Sequence, residues 1–169
     1  MLTPLYFVAG TWPGRLALAP RPRGGDWLED EVRSWQRAGV SVIASLLTHE
    51  ELDELSLTNE EQQCRALGIQ FVSFPIVDRA VPVSPAAFAK LLIDLATFLK
   101  AGKSVAIHCR QGLGRAALVA ACTLAHLGVD PEAAIRQVAA ARGCPVPETP
   151  EQRAWILGSR DRSSTIPQD

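Results

Sequence analysis

The sequence lacks several features that would assign the protein to a common class. Its four cysteines have neither CxxC nor cysteine/histidine spacing, which argues against a zinc site or a disulfide framework. No apolar run approaches the roughly 20 residues of a membrane-spanning helix, and the N-terminus lacks the pattern of a signal peptide. The net charge of −1 gives no electrostatic basis for binding nucleic acid or a membrane surface. We therefore expect a soluble cytoplasmic protein with reduced thiols.

What the sequence does have is the apolar content of a folded core, since 47% of its residues are hydrophobic. The length of 169 residues is typical of a single domain. We predict one domain over residues 1–158 and a polar C-terminal tail over residues 159–169. No pattern predicts a metal or another cofactor, so we expect none, and the sequence does not indicate an oligomeric state.

Short apolar runs alternate with helical patterns along the chain, which is typical of an α/β fold with a mainly parallel sheet. Strands are predicted at residues 5–8, 15–19, 40–47, 69–74 and 105–108. Capping boxes predict helix starts at Asp26, Thr48, Thr58 and Thr149. Further helices are predicted at residues 84–101, 116–127 and 130–142. The acidic run around Glu51 is predicted to be the solvated face of a short helix.

The most informative stretch is the loop that follows the apolar run Val105–His108. This run ends at Cys109, and the loop contains Gly112 and Gly114 before it closes with Arg115. A helical pattern follows directly. A loop between a strand and a helix N-terminus turns backbone amides towards an anion. The same groups favour the thiolate of Cys109, which is the nucleophilic form of a cysteine.

The segment His108-Cys109-Arg110-Gln111-Gly112-Leu113-Gly114-Arg115 resembles the signature of the cysteine-dependent protein phosphatases. In this protein-tyrosine and dual-specificity superfamily, the signature is His-Cys, five residues, Arg, then Ser or Thr. The short chain is similar to the compact dual-specificity-type branch that includes cyclin-dependent-kinase-associated phosphatases. The resemblance implies a five-stranded sheet with the Cys109 strand at its centre and helices on both faces.

The resemblance also implies roles for the loop residues. Cys109 would attack phosphorus and form a phosphocysteine, while Arg115 would hold two phosphate oxygens with its planar guanidinium. His108 would order the loop rather than act as a base. The substrate would be bound by the residues between the cysteine and the arginine, which are Arg110, Gln111, Gly112, Leu113 and Gly114.

Two residues outside the loop complete the predicted catalytic set. Asp78 lies 31 residues before Cys109, in a stretch bounded by two prolines, where the family has its general acid. A local turn is the alternative role for this aspartate. Gln152 resembles the family glutamine that orients the hydrolytic water, but with Thr149 it also forms a capping box. The two interpretations of Gln152 do not exclude each other.

Cys64 is a possible redox partner of Cys109. In the lipid-phosphatase branch of the superfamily, a cysteine in a similar sequence context forms a reversible disulfide with the nucleophile and protects it from over-oxidation. The alternative is a buried structural cysteine on a helix.

Ala116 departs from the signature, which has a hydroxyl residue after the arginine. That hydroxyl stabilises the departing sulfur in the second step, so we expect phosphocysteine hydrolysis to be slowed. The predicted function is hydrolysis of phosphotyrosine, with phosphoserine and phosphothreonine as further substrates, and the predicted partner is a phosphorylated protein or another phosphate monoester. Alternatives are a weakly active phosphoprotein-binding module, a lipid or small-molecule phosphatase and a rhodanese-like sulfurtransferase.

Overall fold

A central five-stranded sheet organises the computed structural model, which describes residues 1–159. The strand order is β1-β2-β5-β3-β4. β1 runs antiparallel to β2, and every other neighbouring pair is parallel. The strands are β1 (Tyr6–Val8), β2 (Arg15–Ala19), β3 (Val42–Ser45), β4 (Gln70–Ser73) and β5 (Ser104–His108). The predicted fold class is confirmed, with the strand before Cys109 at the centre of the sheet. The predicted tail from residue 160 onward lies outside the described residues.

Seven α-helices lie within residues 1–159. They are α1 (Leu28–Arg37), α2 (His49–Glu54), α3 (Glu60–Ala66), α4 (Pro85–Lys100), α5 (Arg115–His126), α6 (Pro131–Arg142) and α7 (Pro150–Leu157). Helices α1 and α3 pack on one face of the sheet, and α4 to α7 supply the core on the other face. No helix in this part of the chain is long and apolar enough to cross a membrane.

The central strand β5 is buried along its whole length, as expected for a strand covered by helices on both faces. Val105 and Ile107 pack into the α4–α7 core, whereas Ala106 packs into the α1/α3 core, because side chains alternate along a strand. β2, β3 and β5 run in the same direction, so their carboxyl ends meet at one edge of the sheet. In open α/β sheets, ligands bind at this edge.

Two of the four predicted capping boxes are present. Thr48 with Glu51 opens α2, and Thr149 with Gln152 opens α7. The predictions at Asp26 and Thr58 are wrong. Asp26 lies inside a 3-10 turn, and α3 begins after Asn59, whose backbone is not extended and whose side chain makes no cap. A capping side chain needs an extended N-cap residue, and neither helix entry provides one.

Candidate active site

Cys109 lies at the carboxyl end of β5, where the loop to α5 begins. Its side chain is buried, and the Gly112 N–H lies 3.3 Å from its sulfur in hydrogen-bond geometry. Gly112 has φ +71°, and a Cβ there would lie 2.7 Å from the Ala19 carbonyl oxygen, so glycine is required on both counts. The loop therefore directs a backbone N–H at the sulfur.

Arg115 is buried at the first position of α5, and one edge of its guanidinium is fully occupied. Its Nη1 and Nη2 atoms lie 2.6 Å and 2.9 Å from the two carboxylate oxygens of Glu51. Nη1 also donates to the Ile76 carbonyl at 2.8 Å, and Nη2 lies 3.0 Å from Asp78 Oδ1. The Nε atom is buried and has no hydrogen-bond partner among the described residues. The Nε–Nη2 edge is therefore the one that can take two phosphate oxygens, once Asp78 moves from Nη2.

The Arg115–Glu51 pair stabilises the charge of both residues. Burial by itself would lower the pKa of Arg115, but the Glu51 hydrogen bonds and the negative charges nearby raise it above its usual value. Burial would likewise raise the pKa of Glu51. The hydrogen bonds from Arg115 and from the Thr48 backbone outweigh this effect and lower it. Both groups thus remain ionised beside the cleft.

The position of Glu51 corrects the sequence prediction. Glu51 was expected on a solvated helix face, yet only 8% of its surface is exposed, because it turns inward to Arg115. A signal for this placement does exist in the sequence. The capping box fixes Glu51 in the first turn of a helix that follows β3, and β3 ends at the same sheet edge as the Cys109 strand.

Asp78 lies on the loop after β4 and faces the same cleft as Cys109 and Arg115. Its side chain is about half exposed, in contrast to the buried cysteine and arginine. The remaining residues that line the cleft are Arg110, Gln111, Leu113, Gly114 and Glu148. Three of the four residues predicted for catalysis, Cys109, Arg115 and Asp78, thus line one cleft, although they come from two separate parts of the chain. Their roles in a reaction stay predictions.

His108 is fully buried directly below the loop. Its Nε2 atom lies 2.8 Å from Glu60 Oε1, and its ring packs against Trp35 with 6.0 Å between the ring centroids. These contacts tie the end of β5 to α3 and α1. The surroundings of His108 are compatible with a positioning role, and Glu60 is a buried partner that the sequence did not indicate.

Gln152 is fully buried, and both ends of its amide group are engaged. Its oxygen accepts from the Thr149 N–H at 3.2 Å, and its Nε2 donates to the Ala80 carbonyl at 3.1 Å. A Cβ at Gly114 would lie 3.0 Å from Gln152 Oε1, so the side chain also packs against the loop between β5 and α5. The capping role is present, and the predicted role towards the hydrolytic water is untested.

Arg110 is paired at the mouth of the cleft. Its Nη2 atom lies 2.6 Å from Glu54 Oε1, and both side chains are partly exposed. Helix α2 therefore supplies two carboxylates to the two arginines of the loop, Glu51 to the buried one and Glu54 to the exposed one.

Cys64 is buried in the α1/α3 core, whereas Cys109 belongs to the α4–α7 core. Both thiols are free. Burial is the largest cause that raises the pKa of Cys64 to about 12, and the negative charges of Glu60 and Glu61 act in the same direction. A thiol reacts with an oxidised cysteine as its thiolate, so these surroundings are unfavourable for rapid disulfide formation. The Cys64–Cys109 bridge stays a prediction.

The strand–loop–helix site and the sheet that carries it are those of a compact, dual-specificity-type cysteine phosphatase. The family profile described as cyclin-dependent kinase inhibitor 3 (CDKN3) matches residues 27–135, and the chain belongs to this family.

Individual relatives agree with this assignment. The human protein named cyclin-dependent kinase inhibitor 3 is 30% identical over 137 residues, which cover 80% of this chain and 64% of the human one. The rat protein of the same name is 28% identical over the same coverage. The matched region thus spans 64% of the length of these curated relatives.

A crystal structure of kinase associated phosphatase, with its catalytic site cysteine replaced by serine, shares the fold. The TM-score is 0.88 at 24% identity, and the match covers 98% of each chain.

Proposed function

We propose that this protein is a phosphatase that hydrolyses phosphotyrosine, phosphoserine and phosphothreonine through a phosphocysteine intermediate. The observation that carries the proposal is the pairing of two groups in one cleft. Cys109 receives a backbone N–H on its sulfur, and Arg115 presents a buried, unpartnered Nε. A nucleophile next to a guanidinium edge that only Asp78 partly occupies suits attack on a phosphate ester.

In the first step, two phosphate oxygens bind the Nε–Nη2 edge of Arg115 and displace Asp78 from Nη2. The Cys109 thiolate attacks phosphorus, and the bond from phosphorus to the ester oxygen breaks. The departing oxygen takes a proton from Asp78, which acts as general acid in its neutral form. Arg115 stabilises the charge that spreads over the phosphoryl oxygens in the transition state.

In the second step, water attacks the phosphocysteine and gives a proton to Asp78, and the sulfur–phosphorus bond breaks to release phosphate and the thiolate. Ala116 has no hydroxyl to donate to the departing sulfur, and the Gly112 N–H takes over part of this task. Loss of one such donor costs up to about 10²–10³-fold in rate. We therefore expect the phosphoenzyme to accumulate during turnover.

The proposed partner is a phosphorylated protein. The names of the relatives, cyclin-dependent kinase inhibitor 3 and kinase associated phosphatase, connect those proteins to kinases. We extend a phosphoprotein substrate to this chain, with the cytoplasm as the predicted location. Family membership and the position of Asp78 favour phosphate chemistry over a rhodanese-like sulfurtransferase.

Hydrolysis of p-nitrophenyl phosphate tests the proposal. The wild type should be active. Cys109→Ser should lose the activity but keep phosphate binding, and Asp78→Ala should lose part of the activity. Cys144→Ser is the matched control, because Cys144 is another free cysteine outside the cleft lining. An inactive wild type that still binds inorganic phosphate would replace the proposal with the alternative that Ala116 favours, a phosphoprotein-binding module.

A further inference from the structure

The loop that carries Asp78, here called the acid loop (residues 75–82), is contacted by the segment 148–152, which includes the first turn of α7. Arg79 Nη1 lies 2.7 Å from Glu148 Oε1, and the Ala80 carbonyl accepts from Gln152 Nε2 at 3.1 Å. The two acid-loop residues that make these contacts, Arg79 and Ala80, directly follow Asp78 in the sequence. Two contacts from one segment thus define where the Asp78 backbone lies.

The backbone of Arg79 is in a conformation that needs outside support. Its φ is +63°, in the left-handed region that residues with a Cβ rarely adopt. Glycine or asparagine would relax this position, but the chain has arginine, whose long side chain reaches Glu148. The ion pair is therefore a contact that favours the turn immediately after Asp78.

Glu148 also contacts the loop between β5 and α5, which contains Cys109 and Gly114. It lines the cleft together with Cys109 and Arg115. Its Oε2 would lie 2.9 Å from a Cβ at Gly114, so the carboxylate rests against the loop backbone. Arg79 compensates a negative charge that would otherwise face the phosphate. The pair thus spans the gap between the acid loop and the loop that binds the substrate.

We propose that Arg79 and Glu148 form a positioning pair that holds Asp78 over Cys109 for proton transfer to the leaving group. The inference rests on the proposed function, because it concerns how Asp78 performs its role there. The pair touches neither the nucleophile nor the ester oxygen, so it acts through Asp78.

Two aryl phosphates with different leaving groups separate this role from a general structural one. Phenyl phosphate has a basic leaving group that needs the proton from Asp78, whereas 2,4-dinitrophenyl phosphate has one that leaves without it. The quantity to compare is kcat/KM, because it reports phosphoenzyme formation and is unaffected by the slow second step. Arg79→Ala and Glu148→Gln should lower kcat/KM for phenyl phosphate about tenfold and for the dinitrophenyl ester less than about twofold. Arg79→Lys, which keeps the charge, should retain most of the activity.

Arg153→Ala is the matched control. It removes another exposed ion pair of 2.7 Å, between Arg153 on α7 and Glu132, and neither residue lines the cleft. Its kcat/KM should stay at the wild-type value for both esters. In an Asp78→Ala background, Arg79→Ala should have no further effect, because a positioning residue acts only through the group that it positions.

Three results would overturn the inference. They are equal losses on the two esters, additive effects of Arg79→Ala and Asp78→Ala, and unchanged rates in both the Arg79 and the Glu148 variants of an active enzyme. A wild type that hydrolyses neither ester would instead refute the proposed function, on which the inference rests. The activity of the wild type therefore distinguishes the two failures.

Discussion

The floor and the rim of the cleft differ in how far their charged side chains are buried. On the floor, defined here as Cys109, Arg115 and Glu51, every residue is buried and the ion pair is bidentate. On the rim, defined as Asp78, Arg79, Arg110 and Glu148, the side chains are one-third or more exposed. Exposed ion pairs contribute about 0–1 kcal/mol to stability, whereas breaking a buried pair costs several kcal/mol. Substitutions on the floor should therefore change both the reaction rate and the free energy of unfolding, whereas substitutions on the rim should change the rate alone.

Replacing Arg115 with lysine should have the largest effect on the floor. Lysine keeps the charge but has no planar edge for Glu51 and none for the phosphate. We expect kcat/KM to fall about 10²–10³-fold, the size of the loss of a main transition-state donor. Steady-state hydrolysis of p-nitrophenyl phosphate measures the change. Activity within about tenfold of the wild type would mean that the bidentate edge is not used.

Glu51→Gln should reduce both activity and stability, and so sets the floor apart from the rim. Glutamine keeps the shape but leaves the buried Arg115 charge without its closest counter-charge. We expect the free energy of unfolding to fall by about 2 kcal/mol and kcat/KM to fall about tenfold. Urea unfolding and kinetics measure the two effects. Glu54→Gln is the control on the same helix, and it should change stability by less than about 0.5 kcal/mol.

The stability difference at Glu51 should depend on pH. The folded-state pKa of Glu51 lies below its ordinary value of 4.5, so its ionised form stabilises the fold above that pH. The contribution is lost as the pH falls through the lowered pKa. The difference in unfolding free energy between wild type and Glu51→Gln should thus be largest near about pH 7 and shrink below 4.5. A difference that grows towards acid pH would contradict the assigned ion pair.

Ala116→Ser tests the buried position that directly follows Arg115 of the floor. The added hydroxyl is at the position where the superfamily signature has a donor to sulfur. Rapid mixing with p-nitrophenyl phosphate should show a burst in the wild type and a smaller burst, with turnover increased about threefold to tenfold, in the variant. Ala117→Ser, which adds the same atom to the next buried position of α5, should leave the burst unchanged. Wild-type turnover without a burst would refute the slowed second step.

Arg110→Ala should have the smallest effect, because Arg110 and Glu54 form an exposed pair on the rim. We expect less than about a threefold change in kcat/KM for a simple monoester and less than about 0.5 kcal/mol in stability. Kinetics and urea unfolding check both values. A loss comparable to that of Arg115→Lys would show that the rim and the floor do not differ in the way proposed.

Much of the site can be predicted from the chain because its parts are close in sequence or follow a periodic pattern. Cys109, the two loop glycines and Arg115 lie within one short segment between a strand and a helix. Asp78 can be inferred from the resemblance, because it lies where the family has its general acid, on a loop that follows a strand of the same sheet. Parallel strands bring the loops at their carboxyl ends to one edge of the sheet, which explains why Asp78 and the Cys109–Arg115 segment line the same cleft.

The residues missed are the acidic partners, and they share a reason. Glu51 meets Arg115 across 64 positions of sequence, Glu148 meets Arg79 across 69, and Glu60 on α3 meets His108 at the end of β5. A carboxylate in an acidic helix looks solvated by pattern alone, because local sequence does not reveal which buried cation it will face.

The sequence by itself determined the strand–loop–helix unit and the places of Cys109 and Arg115 in it, which are the predicted nucleophile and phosphate ligand, because backbone geometry and glycine requirements are local. The tertiary structure alone decided which edge of Arg115 is left for substrate. It also decided which carboxylate pairs with Arg115 and which segment contacts the loop that carries Asp78. These properties depend on the distances between charges from separate elements, and only the packing of α2 and α7 around the end of β5 sets those distances.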